Sequence, residues 1–454
     1  MNNKEFADIV AQTCYEHYEK LPKTGKPRNG KEWTLLAAIL ITFDSENDLS
    51  RRKPHIIALA TGSKCLGAKD LSPDGNIVND SHAEILTRRA FLRYLYHQIK
   101  LLLEGKQSTI LSFDEKGFTL KSNLKFHLFI SHTPCGDASI FLKDSNIPDN
   151  LTNCLKDFQK RKCETSDIEP LYSKKLRSEV ENNNSSIKIE DVNVEGSTSD
   201  DNVKSKIDIY RTGAKCVTDG LQDPKGEGIN YHILGRLRTK PGRGNPTLSM
   251  SCSDKIAKWN VCGLQGALIS HFLCKPIYLS TIIIGRCPFS REALYEAIVE
   301  RTNNLNLQSG NYYKSVPILL QSNLLFKYSR QRLESEFNAV MPSPSAVIWT
   351  DVSNKPLEVA VNGLRQGVTI KCQKKPIARL SICKKELFQQ FISILKNLTS
   401  HKLNQQMRNK ELITYYDYKM AAKEYQNCWT SLKCQCFNDW TNKPKELLSF
   451  VADE

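Results

Sequence analysis

The sequence predicts an α/β fold: a central mixed sheet flanked by helices, followed by a helical C-terminal part. Three observations carry that prediction. Apolar runs of strand length alternate with helical stripes over the N-terminal third, strand-like runs recur near 277–284 and 346–350, and residues 384–398 and 415–436 read as helix.

Taken in order, residues 33–45 form an apolar run that fits either a buried strand or a short buried helix. His55 to Ser63 reads as a strand ending in a glycine turn. Asn79, Asp80 and Ser81 are helix-capping residue types, and Ile85, Leu86, Phe91, Leu92 and Leu95 fall on one helical stripe. His82 and Glu84 are therefore expected in the first turn of a helix. Residues 124–131 read as a strand running into Pro134-Cys135. Proline favours the first helical turn, so Cys135 is expected near a second helix N-terminus. From 158 to 206 the chain is polar, acidic and poor in aromatics, which predicts a disordered insertion inside one domain spanning 1–454.

Bulk properties narrow the function classes. The chain has 454 residues, 40% hydrophobic and 25% charged, and no apolar run long enough for a membrane span. The polar N-terminus has no secretory h-region, which points to the cytoplasm, the nucleus or both. Fifteen scattered cysteines, an odd number, are expected to be reduced and free to bind metal. A net charge of +15 and a pI near 9.1 predict a polyanionic partner, with nucleic acid the first candidate.

The chemistry-bearing pattern is His82-Ala83-Glu84 followed by Pro134-Cys135. Histidine and thiolate suit zinc, and a carboxylate two residues from the histidine can move protons beside the metal. This is the first part of the zinc nucleobase-deaminase signature, but Ala138 stands where its second cysteine belongs. Spacing alone leaves the third ligand open. The Cys434/Cys436 pair would put its two thiols on different helix faces.

Longer segments resemble the RNA adenosine deaminases, the double-stranded-RNA editors and their tRNA-modifying relatives. They are Asn79-Asp-Ser-His-Ala-Glu, Pro134-Cys-Gly-Asp-Ala-Ser, Arg236-Leu-Arg-Thr-Lys, Met250-Ser-Cys-Ser-Asp-Lys and Ala421-Ala-Lys-Glu-Tyr-Gln, and together they cover nearly the whole chain. The resemblance implies a cytidine-deaminase-like core, with Zn²⁺ held by His82, Cys135 and Cys252 and with Glu84 as proton shuttle. It also implies a helical C-terminal part that encloses inositol hexakisphosphate. Matching positions for that cofactor are Asn79, Arg88, Arg89, Lys255, Lys258, Lys384, Tyr415, Lys419, Tyr425, Trp440 and Lys443, with Lys64 a further candidate. Two positions depart from the editors: Ala267 replaces a serine and Trp429 a lysine.

The 81 residues before His82 read as strands and helices of the catalytic domain itself, so no separate duplex-binding module is expected there, and the segment from Lys240 to Asn245 is shorter than the editors' base-replacing loop. The resemblance is therefore to the tRNA-acting branch, which converts the adenosine 3′-adjacent to the anticodon of alanine tRNA to inosine. Ser63 resembles a substrate-facing position, and Arg238, Lys240 and Arg243 are expected to contact phosphates. Editing of another structured or messenger RNA, and a non-catalytic RNA-binding scaffold, are the alternatives. The oligomeric state and the target tRNA set are not legible.

Overall fold

The computed structural model describes residues 2–44, 53–115, 117–143, 208–218, 220–242, 247–307, 310–398 and 412–453. The expected insertion at 158–206 and Arg243 lie outside them.

The strands of the main sheet are β1 (Leu36–Phe43), β2 (His55–Thr61), β3 (Leu124–Ile130), β4 (Thr281–Ile284), β5 (Ile318–Gln321), β6 (Ser345–Thr350), β7 (Leu357–Val361) and β8 (Leu364–Arg365). Their spatial order is β5-β4-β3-β1-β2-β6-β7-β8. The β3–β4 and β4–β5 pairs are parallel and the others antiparallel, so the sheet is mixed as the sequence predicts.

The run near 33–45 resolves as strand β1, and its side chains explain the ambiguity. Successive residues of a strand point to opposite faces. Ala37, Ile39 and Ile41 enter the core on one face, while Leu36, Ala38 and Leu40 enter the core on the other. A strand buried on both sides loses the alternation that would mark it as a strand. The first core is closed by helix α2 (Ala83–Leu103), through Leu86, Ala90, Phe91 and Tyr94. The second is closed by helix α1 (Asn3–Lys20), which the sequence reading missed. Ala7, Val10, Ala11, Cys14 and Tyr18 form its buried stripe, and the Asn2 side chain caps it by accepting from Glu5 N–H at 2.8 Å.

Among the helices that pack around the sheet are α3 (Cys252–Cys262), α4 (Lys384–Asn397) and a C-terminal helical stretch. That stretch, read as one helix over 415–436, is two: α5 (Tyr415–Ala421) and α6 (Lys423–Cys436), broken where Ala422 leaves helical geometry at ψ 70°.

Two local expectations near the motifs are corrected. Residues 80–82 pair with 63–65 in a short antiparallel ladder, and His82 itself is the N-cap of α2. Asp80 accepts from His82 N–H at 3.1 Å, a bond that belongs to the ladder's exit and not to a helix cap. Cys135 is followed only by a 3-10 turn at Asp137–Ser139, so the strand–proline–cysteine run does not open an α-helix. Downstream, Phe141–Leu142 pair with Ile209–Tyr210, and Lys143 bonds Asp208 through backbone and side chain at 3.0 and 2.5 Å. Among the described residues no helix is long and apolar enough to cross a membrane.

Candidate active site

Three segments far apart in sequence meet at one end of the sheet. His82 leaves the short ladder, where it pairs with Ser63, and starts α2. Cys135 follows β3. Cys252 is the first residue of α3, whose N-cap Ser251 accepts from Asp254 N–H at 3.2 Å. The backbone then fastens the two cysteine turns together: Ser253 N–H donates to Cys135 C=O at 3.0 Å and Cys252 N–H to Cys135 Sγ at 3.3 Å.

This close approach requires glycine at 136. Its φ is +104°, and a Cβ there would lie 2.3 Å from the Oγ atoms of Ser251 and Ser253.

His82 Nδ1 stands 3.9 Å from Cys135 Sγ and 3.7 Å from Cys252 Sγ. Tetrahedral zinc with N and S bonds of about 2.0–2.3 Å separates such ligand atoms by roughly 3.6 Å, so the donor set fits that ion. Both cysteines are free thiols, and the three residues are the one such cluster found among the described residues. A hydrogen bond from Cys252 holds the Cys135 thiol well below its ordinary range, while burial and that same bond push Cys252 up. The pair thus already favours one thiolate. Three protein ligands leave one coordination position free, as catalytic zinc sites do. The exposed Cys434 lies outside the cluster.

Glu84 is the second residue of α2, within its first turn, and is 2% exposed. Its Oε2 is buried without a hydrogen-bond partner. Burial raises its carboxyl above the ordinary range, and the Cys135 sulfur adds to this. A buried carboxyl with one oxygen free of partners beside a metal-ligand set is suited to proton transfer.

Arg238 and Lys240, expected at phosphates, are instead buried, at 0% and 1% exposure. Arg238 donates to Asp223 at 2.6 and 2.9 Å and to Asp137 at 3.0 Å, and its backbone N–H reaches Asp254 Oδ2 at 3.0 Å. Asp254 also takes Arg301 at 2.6 Å. Asp137 and Asp254 each stand two residues after a cysteine ligand, so this ion-pair network braces both thiol-bearing turns. Lys240 and Lys255 both grip Asp80, at 2.7 and 2.5 Å. Burial alone would raise the Asp80 carboxyl, but the two ammonium groups outweigh it and hold it far below the usual range. Charged side chains are not left dry without such partners, and apart from Asp223, the carboxylate partners of the Arg238 and Lys240 side chains are 101 and 160 residues away. Ser63 remains half-buried beside His82.

Behind α2 lies a second assembly. Arg88 and Arg89 from α2, Lys255 and Lys258 from α3, Lys384 from α4, Lys419 from α5, and Lys443 surround a common interior. Arg88 Nε and Arg89 Nη2 are buried with no partner. Burial, reinforced by neighbouring cations, lowers Lys258 to about 7 and Lys443 to about 8. Lys384 is pushed well below the lysine range for the same reasons. Tyr415 lies by the Lys419 ammonium; Tyr425, Trp429 and Trp440 ring that of Lys258, with Trp429 at 3.3 Å from its centroid. Trp429, one of the two departures from the editors, thus contributes a cation–π contact where they carry a further cation. Lys64 and Asn79 flank this region on and beside the short ladder.

Residues 58–444 match the model of the adenosine-deaminase (editase) domain. The chain is 38% identical to human tRNA-specific adenosine deaminase 1, over 98% of this chain and 99% of that protein. It is 34% identical to the Drosophila melanogaster protein of the same name, over 99% and 98%. It is also 29% identical to mouse double-stranded RNA-specific adenosine deaminase, over 99% of this chain but 33% of that protein. With the domain model matched over residues 58–444 and the two tRNA-specific relatives aligned end to end, the chain belongs to the adenosine-deaminase (editase) family.

Proposed function

We propose that this protein hydrolyses adenosine to inosine in tRNA, releasing ammonia, and that its target is the adenosine 3′-adjacent to the anticodon of alanine tRNA. One observation carries the reading: the His82/Cys135/Cys252 cluster with the buried Glu84 carboxyl, its Oε2 free of partners, set in a chain that aligns over 98–99% of its length with tRNA-specific adenosine deaminases.

In this reading His82 Nδ1 and the Sγ atoms of Cys135 and Cys252 hold zinc. When bound, zinc supplies Lewis acidity that brings the pKa of water to about 7. Glu84 does the proton work through Oε2, taking a proton from the attacking water and passing it to the departing amine at C6. Its burial keeps bulk water from competing for that proton. Ser63, beside His82, would face the substrate, and the whole chain acts as one catalytic domain.

The buried cations argue for a second cofactor. At least five of them, Arg88, Arg89, Lys258, Lys384 and Lys443, are lowered by burial and lack a matching carboxylate among the described residues. Uncompensated, each costs several kcal/mol. A polyanion such as inositol hexakisphosphate, at roughly −9 to −12, would satisfy them together.

The test is nucleoside mass spectrometry of tRNA and of a long RNA duplex after treatment with the purified protein, with sequencing to place any inosine. Inosine next to the alanine anticodon is expected. Preference for the duplex would sink the tRNA assignment, and zinc-loaded protein inactive on every RNA would favour the scaffold.

A further inference from the structure

From Val359 to Lys385 the chain carries seven basic residues and no Asp or Glu. Four of the seven have structural work. Arg365 pairs with Glu358 at 3.3 Å, Arg379 with Glu386 and Asp453, and Lys385 with Asp453 at 2.9 Å, while Lys384 faces the buried cation cluster. Lys371, Lys374 and Lys375 do not. All three are exposed, and no carboxylate among the described residues lies within ion-pair distance of them.

These lysines ride on a built platform. Cys372 N–H donates to Thr369 C=O at 2.9 Å, Lys375 N–H to Cys372 C=O at 2.9 Å, and Ala378 N–H to Lys375 C=O at 3.0 Å. These tight turns hold the three backbone positions together in one short loop, so the lysines are presented to solvent from a common segment. The platform is also pinned to the segment that delivers the first metal ligand. Gly363, in the turn between β7 and β8, accepts from Val78 N–H at 2.9 Å, and a Cβ there would lie 2.3 Å from Val78 O. On the far side of the loop, Arg89 Nε bonds Ile382 C=O at 2.7 Å and Lys385 N–H bonds Gly75 C=O at 3.0 Å. The register places the β7–β8 turn at the same end of the sheet as the last residues of β2 and β3, which lead to Ser63 and Cys135.

We infer that Lys371, Lys374 and Lys375 form a docking surface for the phosphate backbone of the substrate tRNA, away from the reacting nucleotide. The inference rests on the tRNA reading above. Three exposed lysines on one loop, with no carboxylate partner among the described residues, are matched by a regular polyanion, and counterion release from that polyanion supplies the affinity. The exposed Ile370 and Ile377 flank the trio, but two aliphatic side chains make too small an apolar patch to favour a membrane.

The experiment compares the wild type, K371E/K374E/K375E, and K4E/K20E/K23E, which makes the same charge change at exposed lysines on and just beyond α1. Full-length alanine tRNA is the substrate over a salt series. For the loop variant, KM should rise about tenfold and the slope of log KM against log salt should fall by about two to three, with zinc content and Tm retained. The α1 variant should match the wild type. Equal KM and slope in all three proteins would overturn the docking surface, as would an equal loss in the α1 variant. So would unaltered tRNA kinetics alongside loss of phosphatidylserine-vesicle binding through these lysines. A wild type active only on duplex RNA would instead remove the tRNA reading beneath it.

Discussion

The backbone N–H of Cys252 donates to the sulfur of Cys135 at 3.3 Å, across 117 residues of sequence. The two thiol-bearing turns are therefore joined by the polypeptide itself, and the hydrogen bond favours a thiolate at Cys135. Cys252→Ser keeps this N–H but removes the softer ligand. It should lose most of its zinc by elemental analysis while keeping a native-like circular dichroism spectrum. Full zinc occupancy would move the third ligand elsewhere.

Glu84→Gln removes the proton acceptor without changing the side-chain volume. Turnover should fall at least about a hundredfold, the scale of general acid–base catalysis. Zinc content should stay at the wild-type level. A variant with near-normal turnover would show that the proton goes to another group.

Gly136→Ala places a methyl group where the Oγ atoms of Ser251 and Ser253 already stand, at a positive φ. It should destabilise the fold by more than about 1 kcal/mol, read by denaturant titration, and weaken zinc retention against a chelator. A stability equal to the wild type would mean that the two cysteine turns can separate without cost.

Arg238→Ala leaves Asp223 and Asp137 buried opposite an empty space. Breaking a buried ion pair from one side costs about 3–5 kcal/mol, so the variant should unfold at clearly lower denaturant. Its weaker companion, Asp223→Asn, should lose less because Asp137 still holds the guanidinium. Surface-like behaviour of both would contradict the brace.

Lys258 and Lys443 titrate near 7 and 8 because they are buried among other cations. The unfolded chain returns them to about 10.4. Between about pH 7 and 10 the unfolded state therefore binds more protons, and stability without a polyanion should rise with pH. Inositol hexakisphosphate should raise Tm and flatten that dependence by restoring the ammonium form. A Tm indifferent to both the polyanion and pH would remove the ligand from this interior.

Legibility in the sequence followed the range of the interactions. The His82-x-Glu84 spacing and the stripe of α2 are local, and both were readable. β1 was half-readable, since burial on both faces erased its period. Cys252 came from resemblance across whole segments; no spacing rule could have chosen it among fifteen cysteines. Arg238 and Lys240 were misread as surface cations because Asp137 and Asp80, which hold them, are 101 and 160 residues away. The break at Ala422 carries no glycine or proline, so nothing in the sequence announced it.

The ladder of Phe141–Leu142 with Ile209–Tyr210, locked by Lys143 and Asp208, gives the chain between two metal ligands an entrance and an exit side by side. Length added or removed between residues 143 and 208 has its ends clamped at fixed points, so it need not move Cys135 or Cys252. A chimera carrying a relative's segment between those points should therefore keep the same metal centre. The positions of the two cysteine ligands are thus set by the clamp and by the bonds between their turns, not by the number of residues between them.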